Sequence, residues 1–74
     1  MKTEINYRKA WLHSLRPDDL VYWMDPLSVD TGTYMIDDIY YQEGTDIEEA
    51  DFHLICENDV VQFTALGSEI YPKE

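Results

Sequence analysis

Carboxylates are the most numerous side chains in this chain that could do chemistry. Asp and Glu supply 16 of its 74 residues, against five Lys and Arg, so the formal net charge is −11. Two adjacent pairs stand out, Asp37-Asp38 and Glu48-Glu49. Neighbours in a strand point to opposite faces, so we do not expect either pair to chelate an ion. The spacing of Asp46, Glu48 and Asp51 matches only part of a calcium-loop pattern. The sequence therefore predicts no metal site and no cofactor.

The histidines and the single cysteine do not form a catalytic pattern. His53 and Cys56 are three residues apart, which in a strand places them on opposite faces and argues against a Cys–His nucleophile. His13 lies late in a predicted helix, where it would interact with the helix dipole. There is no Ser-centred elbow and no Gly-rich phosphate loop. We predict that the protein is not an enzyme.

The distribution of charge points to binding. Residues 17–72 contain fourteen carboxylates and neither Lys nor Arg. Like charges that cannot pair within their own segment repel one another and destabilise the compact state. We therefore predict that the acidic surface binds a positively charged partner. Nucleic acid and anionic membranes are not expected to be direct partners, because both are bound through Lys and Arg.

Length and composition indicate one folded domain, residues 1–74. Apolar residues make up 45% and aromatic residues 14% of the chain, which is unlike an acidic disordered tail. One cysteine cannot form an internal disulfide, and a free thiol is typical of a reducing compartment. We see no signal peptide or membrane-length apolar run, so a cytoplasmic location is expected.

The chain divides into a helical segment, residues 1–16, and an acidic β domain, residues 17–72. Apolar spacing predicts a helix from Thr3 to about Leu15, which Pro17 ends. The predicted strands are 19–24, 33–42, 52–57, 60–66 and 70–71.

Two strands carry additional expectations. The first is apolar on both faces, so we expect it to be central and covered on both sides. In the second, Ile39 breaks the alternation set by Tyr34 and Ile36 unless a bulge falls at Asp37-Asp38.

These elements predict an α+β fold, with the N-terminal helix packed on a small antiparallel sheet or barrel of five strands. The stretches 19–26 and 32–36, with Ile39 and 67–69, resemble small SH3-like β domains encoded by phages and other mobile elements. The resemblance covers roughly residues 17 to 71. It implies a small SH3-like barrel in a mobile-element protein, and no known active site comes with it.

In charge and size the protein is also similar to DNA mimics, among them many anti-CRISPR and anti-restriction proteins. Fourteen carboxylates would match the charge on roughly 24 Å of duplex DNA. We therefore predict an acidic inhibitor that blocks the nucleic-acid site of a basic host defence complex, such as a CRISPR effector. The candidate contact carboxylates are Asp18, Asp19, Asp37, Asp38, Glu43, Asp46, Glu48, Glu49 and Asp51. Tyr40 and Tyr41 are candidate anchors, because Tyr is enriched at binding hot spots.

Two other interpretations remain open. The protein could be a non-enzymatic interaction module whose acidic surface serves only solubility. It could instead be a module that binds cations weakly. Clustered carboxylates favour the mimic, whereas an even spread favours solubility. The oligomeric state is left open, since an exposed edge strand could pair two copies.

Overall fold

A computed structural model describes residues 7–56 and 61–73 of the chain. Within these residues, one helix, α1 (Tyr7–Ser14), precedes five strands: β1 (Leu20–Trp23), β2 (Gly32–Tyr40), β3 (Asp51–Ile55), β4 (Gln62–Leu66) and β5 (Ile70–Pro72). Single 3-10 turns lie at Ile47–Glu49 and Gly67–Glu69. The predicted α+β class and the antiparallel five-stranded sheet are confirmed.

The strands form one sheet in the order β4-β3-β2-β1-β5, and every neighbouring pair is antiparallel. β1 to β4 lie side by side in chain order. The 3-10 turn at Gly67–Glu69 then carries the chain from β4 to β5, which pairs with the free edge of β1.

The sheet curls strongly on itself. Trp23 of β1 and Phe63 of β4 lie 5.4 Å apart between ring centroids, although β2 and β3 separate their strands. Tyr34 of β2 contacts both rings, at 5.7 Å from Trp23 and 5.4 Å from Phe63. This aromatic cluster fills the concave side of the sheet, together with aliphatic residues such as Val21 and Leu54, which are fully buried.

The α1 helix packs at one end of the sheet through a single buried residue, Leu12, with Trp11 and Leu15 half-buried beside it. Eight helical residues contribute little stability on their own, so the contacts of α1 with the rest of the fold help to hold it in place. Arg8 provides the main polar contact. Its Nη2 donates to the carbonyls of Gly67 and Ile70, each at 2.8 Å, and its Nε lies 3.2 Å from Glu48 Oε2.

Gly67 makes a close approach that only glycine permits. A Cβ at this position would lie 2.4 Å from the Ile47 carbonyl oxygen and 3.0 Å from the Glu48 Cα. The two 3-10 turns therefore pack backbone against backbone. The Gly67 N–H donates to the Ala50 carbonyl at 3.1 Å, which connects the start of β3 to the end of β4.

Several sequence predictions are corrected in detail. β1 is flanked by β2 and β5, but it is covered on one face only: Val21 and Trp23 are buried, while Leu20 is 47% and Tyr22 36% exposed. The prediction that both of its faces are covered is wrong. Pro72 lies within the last strand instead of following it. The predicted cap at Thr3 and the tight turn at 58–59 lie outside the described residues.

Among the described residues, no helix is long and apolar enough to cross a membrane.

Candidate functional site

The sheet face directed away from the core, here called the outer face, carries four of the candidate residues: Asp37, Asp38, Tyr40 and Asp51. Strand register arranges this face in rows across the sheet. One row runs Asp38, His53, Thr64, and the next runs Tyr40, Asp51, Leu66. Both rows alternate with the buried row of Phe52 and Ala65, so their side chains lie on the outer side.

The bulge predicted in β2 is confirmed, and it changes the arrangement of the Asp37-Asp38 pair. Ile36 pairs with Leu54 and Asp38 with His53, which leaves Asp37 as the extra residue. Asp37 Oδ2 accepts a hydrogen bond of 2.9 Å from the side chain of Gln62, an outer-face residue of β4. Both carboxylates therefore lie on the outer side, and the expectation of opposite faces is wrong because the bulge interrupts the alternation.

Asp18 and Asp19, at the entry to β1, bond to β2 through their backbone, and Asp19 Oδ2 accepts the Arg16 N–H at 2.9 Å. The Asp18 N–H donates to the Ile36 carbonyl at 2.7 Å, and the Ile36 N–H donates to the Asp19 carbonyl at 2.8 Å. Asp18 has a φ of +81°, a conformation that Asp tolerates better than most residues. We call Asp18, Asp19, Asp37, Asp38 and Asp51 the acidic strip. Its members flank β2 on both sides: Asp18 and Asp19 lie beside Ile36 on the β1 side, and Asp51 lies opposite Tyr40 on the β3 side.

Tyr40 lies within the acidic strip and is 55% exposed. Its ring meets the His53 ring edge-on, with centroids 4.5 Å apart. A hydrogen bond to the Asp38 carboxylate, and the negative charge of Asp38, raise the pKa of the Tyr40 hydroxyl above its ordinary value. Asp38 also accepts the Ile39 N–H at 2.8 Å, so its carboxylate is held in a defined orientation.

Other predicted contact residues lie elsewhere. Tyr41 packs half-buried against the core, where its hydroxyl donates to the Thr45 carbonyl at 3.1 Å. Its ring meets that of His13, with centroids 5.2 Å apart, which ties the end of α1 to this connection. Glu43 and Glu49 are exposed in the connection between β2 and β3, outside the acidic strip.

Asp46 and Glu48 are engaged within the fold. Asp46 caps the first 3-10 turn by accepting the Glu48 N–H at 3.0 Å, and it lies 3.3 Å from Lys9 Nζ. The backbone hydrogen bond from Glu48, followed by the Lys9 side chain, lowers the pKa of Asp46 despite some desolvation. Glu48 pairs with Arg8. The two helix cations are therefore matched to carboxylates that the sequence assigns to a partner.

Two further acids, absent from the predicted contact set, are structural. Asp25 accepts backbone N–H groups from Leu27, Val29 and Asp30 and so organises the loop after β1. These bonds, chiefly the one from Asp30, lower its pKa. Glu69 Oε1 accepts from Trp23 Nε1 at 3.1 Å and from the Leu66 N–H at 3.2 Å. The Asp-Pro sequence at Asp25 is a local turn signal for the first role, whereas no local pattern indicates the second.

The rest of the outer face is largely apolar, a feature that was not predicted from the sequence. One row runs Tyr71, Tyr22, Thr33, and the next runs Leu20, Met35, Ile55, Gln62. We call Tyr71, Tyr22, Leu20, Met35 and Ile55 the apolar rows. The sequence signal for this apolar surface is the pattern of β1, which is apolar on both faces. The same pattern is also typical of a strand that is buried on both faces.

The described residues include no group of three or more His, Cys, Asp or Glu arranged to hold a metal ion. Cys56 is half-buried against the core, just beyond the end of β3.

Known proteins do not extend this description. No protein-family model matches the chain, and neither a curated protein nor a solved structure shows a significant match. The function is therefore argued from the geometry of the outer face.

Proposed function

We propose that the protein is a non-enzymatic inhibitor whose acidic strip occupies the phosphate-binding site of a basic, nucleic-acid-binding protein. The observation that carries the proposal is the grouping of five carboxylate residues around the second half of β2: Asp37 and Asp38 lie in the strand, Asp18 and Asp19 are bonded to Ile36 through their backbone, and Asp51 stands opposite Tyr40. Arg8 and Lys9 pair with other carboxylates, Glu48 and Asp46.

The charge density of the strip fits one strand of nucleic acid. From Ile36 to Tyr40 the strip covers about 13 Å of strand. One DNA strand carries about four phosphates in that distance, and the duplex carries about eight. Asp37 and Asp38 lie in this stretch, and Asp18, Asp19 and Asp51 lie beside it. Their number is close to that of the phosphates on a single backbone strand, the part of a nucleic acid that meets the Lys and Arg of its binding protein. The strip would attract such a site at long range and lose affinity as salt screens the charges.

The finer parts of the proposal rest on the resemblance to SH3-like mobile-element domains. The strand order, the curl of the sheet and the 3-10 turn before β5 support an SH3-like barrel. Under this proposal the protein acts in the cytoplasm of a host cell, and its target is a defence complex such as a CRISPR effector.

A second candidate function is favoured by the apolar rows. Exposed Leu20, Tyr22 and Tyr71 form a surface that a plain interaction module would use without competing with nucleic acid. The two candidates differ in whether nucleic acid displaces the partner.

The test is a pull-down from bacterial lysate with tagged protein as bait, at low and at high salt. The proposal expects nucleic-acid-binding proteins to be recovered at low salt and released by added DNA or by high salt. A partner that resists both treatments would favour the interaction module and contradict competition with nucleic acid.

A further inference from the structure

The outer face of β1 is exposed, although its residues are of the apolar types that are usually buried. A solvent-facing side of an antiparallel sheet usually alternates polar residues with the apolar residues of the core side. β1 reads Leu-Val-Tyr-Trp, and only Val21 and Trp23 are buried. Leu20 and Tyr22 remain exposed beside half-buried Met35 and Ile55, so apolar side chains continue across three strands.

Two aromatic residues stand side by side at the β5 side of this face, and one of them has a cation over its ring. Tyr22 stands directly opposite Tyr71, and the Arg8 guanidinium lies 4.5 Å from the centre of the Tyr71 ring. Tyr22, Thr33, Tyr71, Pro72 and Lys73 line an open cavity of about 550 Å³. Rigid aromatic side chains beside a concavity are typical anchors of a protein interface.

Charge decides which kind of partner fits this face. Asp37 follows Ile36 and Asp38 stands opposite His53, so carboxylates lie immediately beyond the row that contains Met35 and Ile55. A second copy of the chain would bring another net charge of −11 against this edge, and anionic lipid would be repelled in the same way. A basic protein segment with one apolar side complements the apolar rows and the carboxylates beyond them, with Lys73 at the β5 end of the face, away from those carboxylates.

We propose that the apolar rows and the acidic strip form one continuous docking surface for a basic amphipathic segment of a partner protein. Its apolar side covers Leu20, Tyr22, Met35 and Ile55, and its Lys or Arg side chains meet Asp37 and Asp38. This inference deepens the proposed function and rests on it for the acidic half. It adds an attraction that salt does not screen, whereas a pure phosphate mimic would bind by charge alone.

The probe is a pair of synthetic Lys/Leu peptides of identical composition, about five helical turns long. One peptide has its leucines at helical spacing, and the other is scrambled. We expect the amphipathic peptide to bind at least about tenfold more tightly at high salt. It should shift the backbone amide NMR signals of Leu20, Tyr22, Met35 and Ile55. Equal affinities, or shifts confined to the acidic strip, would overturn the inference.

A pair of double variants distinguishes binding at this surface from non-specific binding of the peptide. Leu20→Thr/Tyr22→Thr keeps strand-forming residues and should weaken the amphipathic peptide about tenfold, with little change for the scrambled one. The control is Leu27→Thr/Val29→Thr, which changes two loop residues that are 80% and 75% exposed away from the sheet. Equal losses of affinity for the amphipathic peptide in the two double variants would contradict a specific surface. Dimerisation of the wild type that depends on concentration, together with weak peptide binding, would overturn the proposed occupant in favour of a second copy of the chain.

The outcome is distinguishable from failure of the proposed function. If the peptide binds the apolar rows but DNA never displaces a captured protein, the docking surface stands and competition with nucleic acid falls. If DNA displaces the captured protein but Leu20→Thr/Tyr22→Thr captures it as well as the wild type does, competition with nucleic acid stands and the docking surface falls.

Discussion

At the scale of single residues, the carboxylates divide into two groups with different tasks. Asp25, Asp46, Glu48 and Glu69 accept hydrogen bonds or ion pairs that hold loops and turns. In the acidic strip, Asp19, Asp37 and Asp38 also accept hydrogen bonds, but from uncharged groups: the Arg16 N–H, the Gln62 side chain and the Ile39 N–H. The same residue type thus serves folding at some positions and presents charge at others.

Gly67 gives the sharpest test of packing. Gly67→Ala would force a methyl group into the Ile47 carbonyl, so we expect a loss of about 3 kcal/mol in unfolding free energy, as for overpacked cores. Gly44→Ala is the matched control: its φ is +93° but nothing lies within 4 Å of a new Cβ, so the cost is only about 1–2 kcal/mol of backbone strain. Urea denaturation of both variants measures the difference, and equal losses would contradict the backbone contact.

The Asp38–Tyr40 contact predicts a change in titration. Removing the carboxylate in Asp38→Ala should lower the pKa of Tyr40 towards its ordinary value of 10.0. The NMR signals of the Tyr40 ring, recorded as a function of pH, measure this change. Because the folded-state pKa is raised, this contact stabilises fully below the unfolded pKa, and the stability is lost as pH rises through the folded pKa. An unchanged Tyr40 titration in the variant would show that the two side chains do not interact.

At the scale of elements, α1 depends on one side chain more than on its own propensity. Arg8 reaches two carbonyls, a carboxylate and the face of Tyr71 at once. Lysine cannot reproduce this planar set of contacts. The position of α1 at the end of the sheet therefore depends on the shape of the Arg8 guanidinium as well as on its charge.

We expect Arg8→Ala to lower the free energy of unfolding by about 1.5–3 kcal/mol, the usual contribution of hydrogen bonds to a charged group. Arg8→Lys should lose most of the same free energy. Lys9→Ala removes a more exposed ion pair and should cost under about 1 kcal/mol. Hydrogen exchange of the α1 amides and denaturant unfolding would measure both. If Arg8→Lys matches the wild type, charge alone holds the helix.

The sequence predicted the elements better than their surroundings. Local signals located all five strands, and Ile39 revealed the bulge, because alternation is read from neighbouring residues. The pairing of β5 with β1, the contact between the two 3-10 turns and the matching of Arg8 to Glu48 join residues far apart in the chain, so no local pattern contains them. For the same reason the sequence could not separate Asp46 and Glu48 from the acidic strip, nor show that Leu20 and Tyr22 are left uncovered.

At the scale of the whole molecule, the account depends on where the negative charge lies. A net charge of −11 on 74 residues costs stability through repulsion, and salt should relieve part of that cost. We expect the melting temperature to rise as NaCl increases from about 0.01 M to 0.1 M, where the screening length falls from about 30 Å to 10 Å. A melting temperature that is independent of salt would show that the carboxylates do not repel one another appreciably.

The most direct measurement compares two double variants that remove the same charge from different places. Asp37→Asn/Asp38→Asn neutralises the acidic strip at the bulge, whereas Asp30→Asn/Glu43→Gln neutralises one residue before β2 and one after it. In parallel pull-downs at low salt, the account predicts that the second variant still recovers DNA-displaceable, nucleic-acid-binding proteins and that the first largely loses them. Equal recovery by the two variants would show that only net charge matters, and would contradict a binding site on the acidic strip.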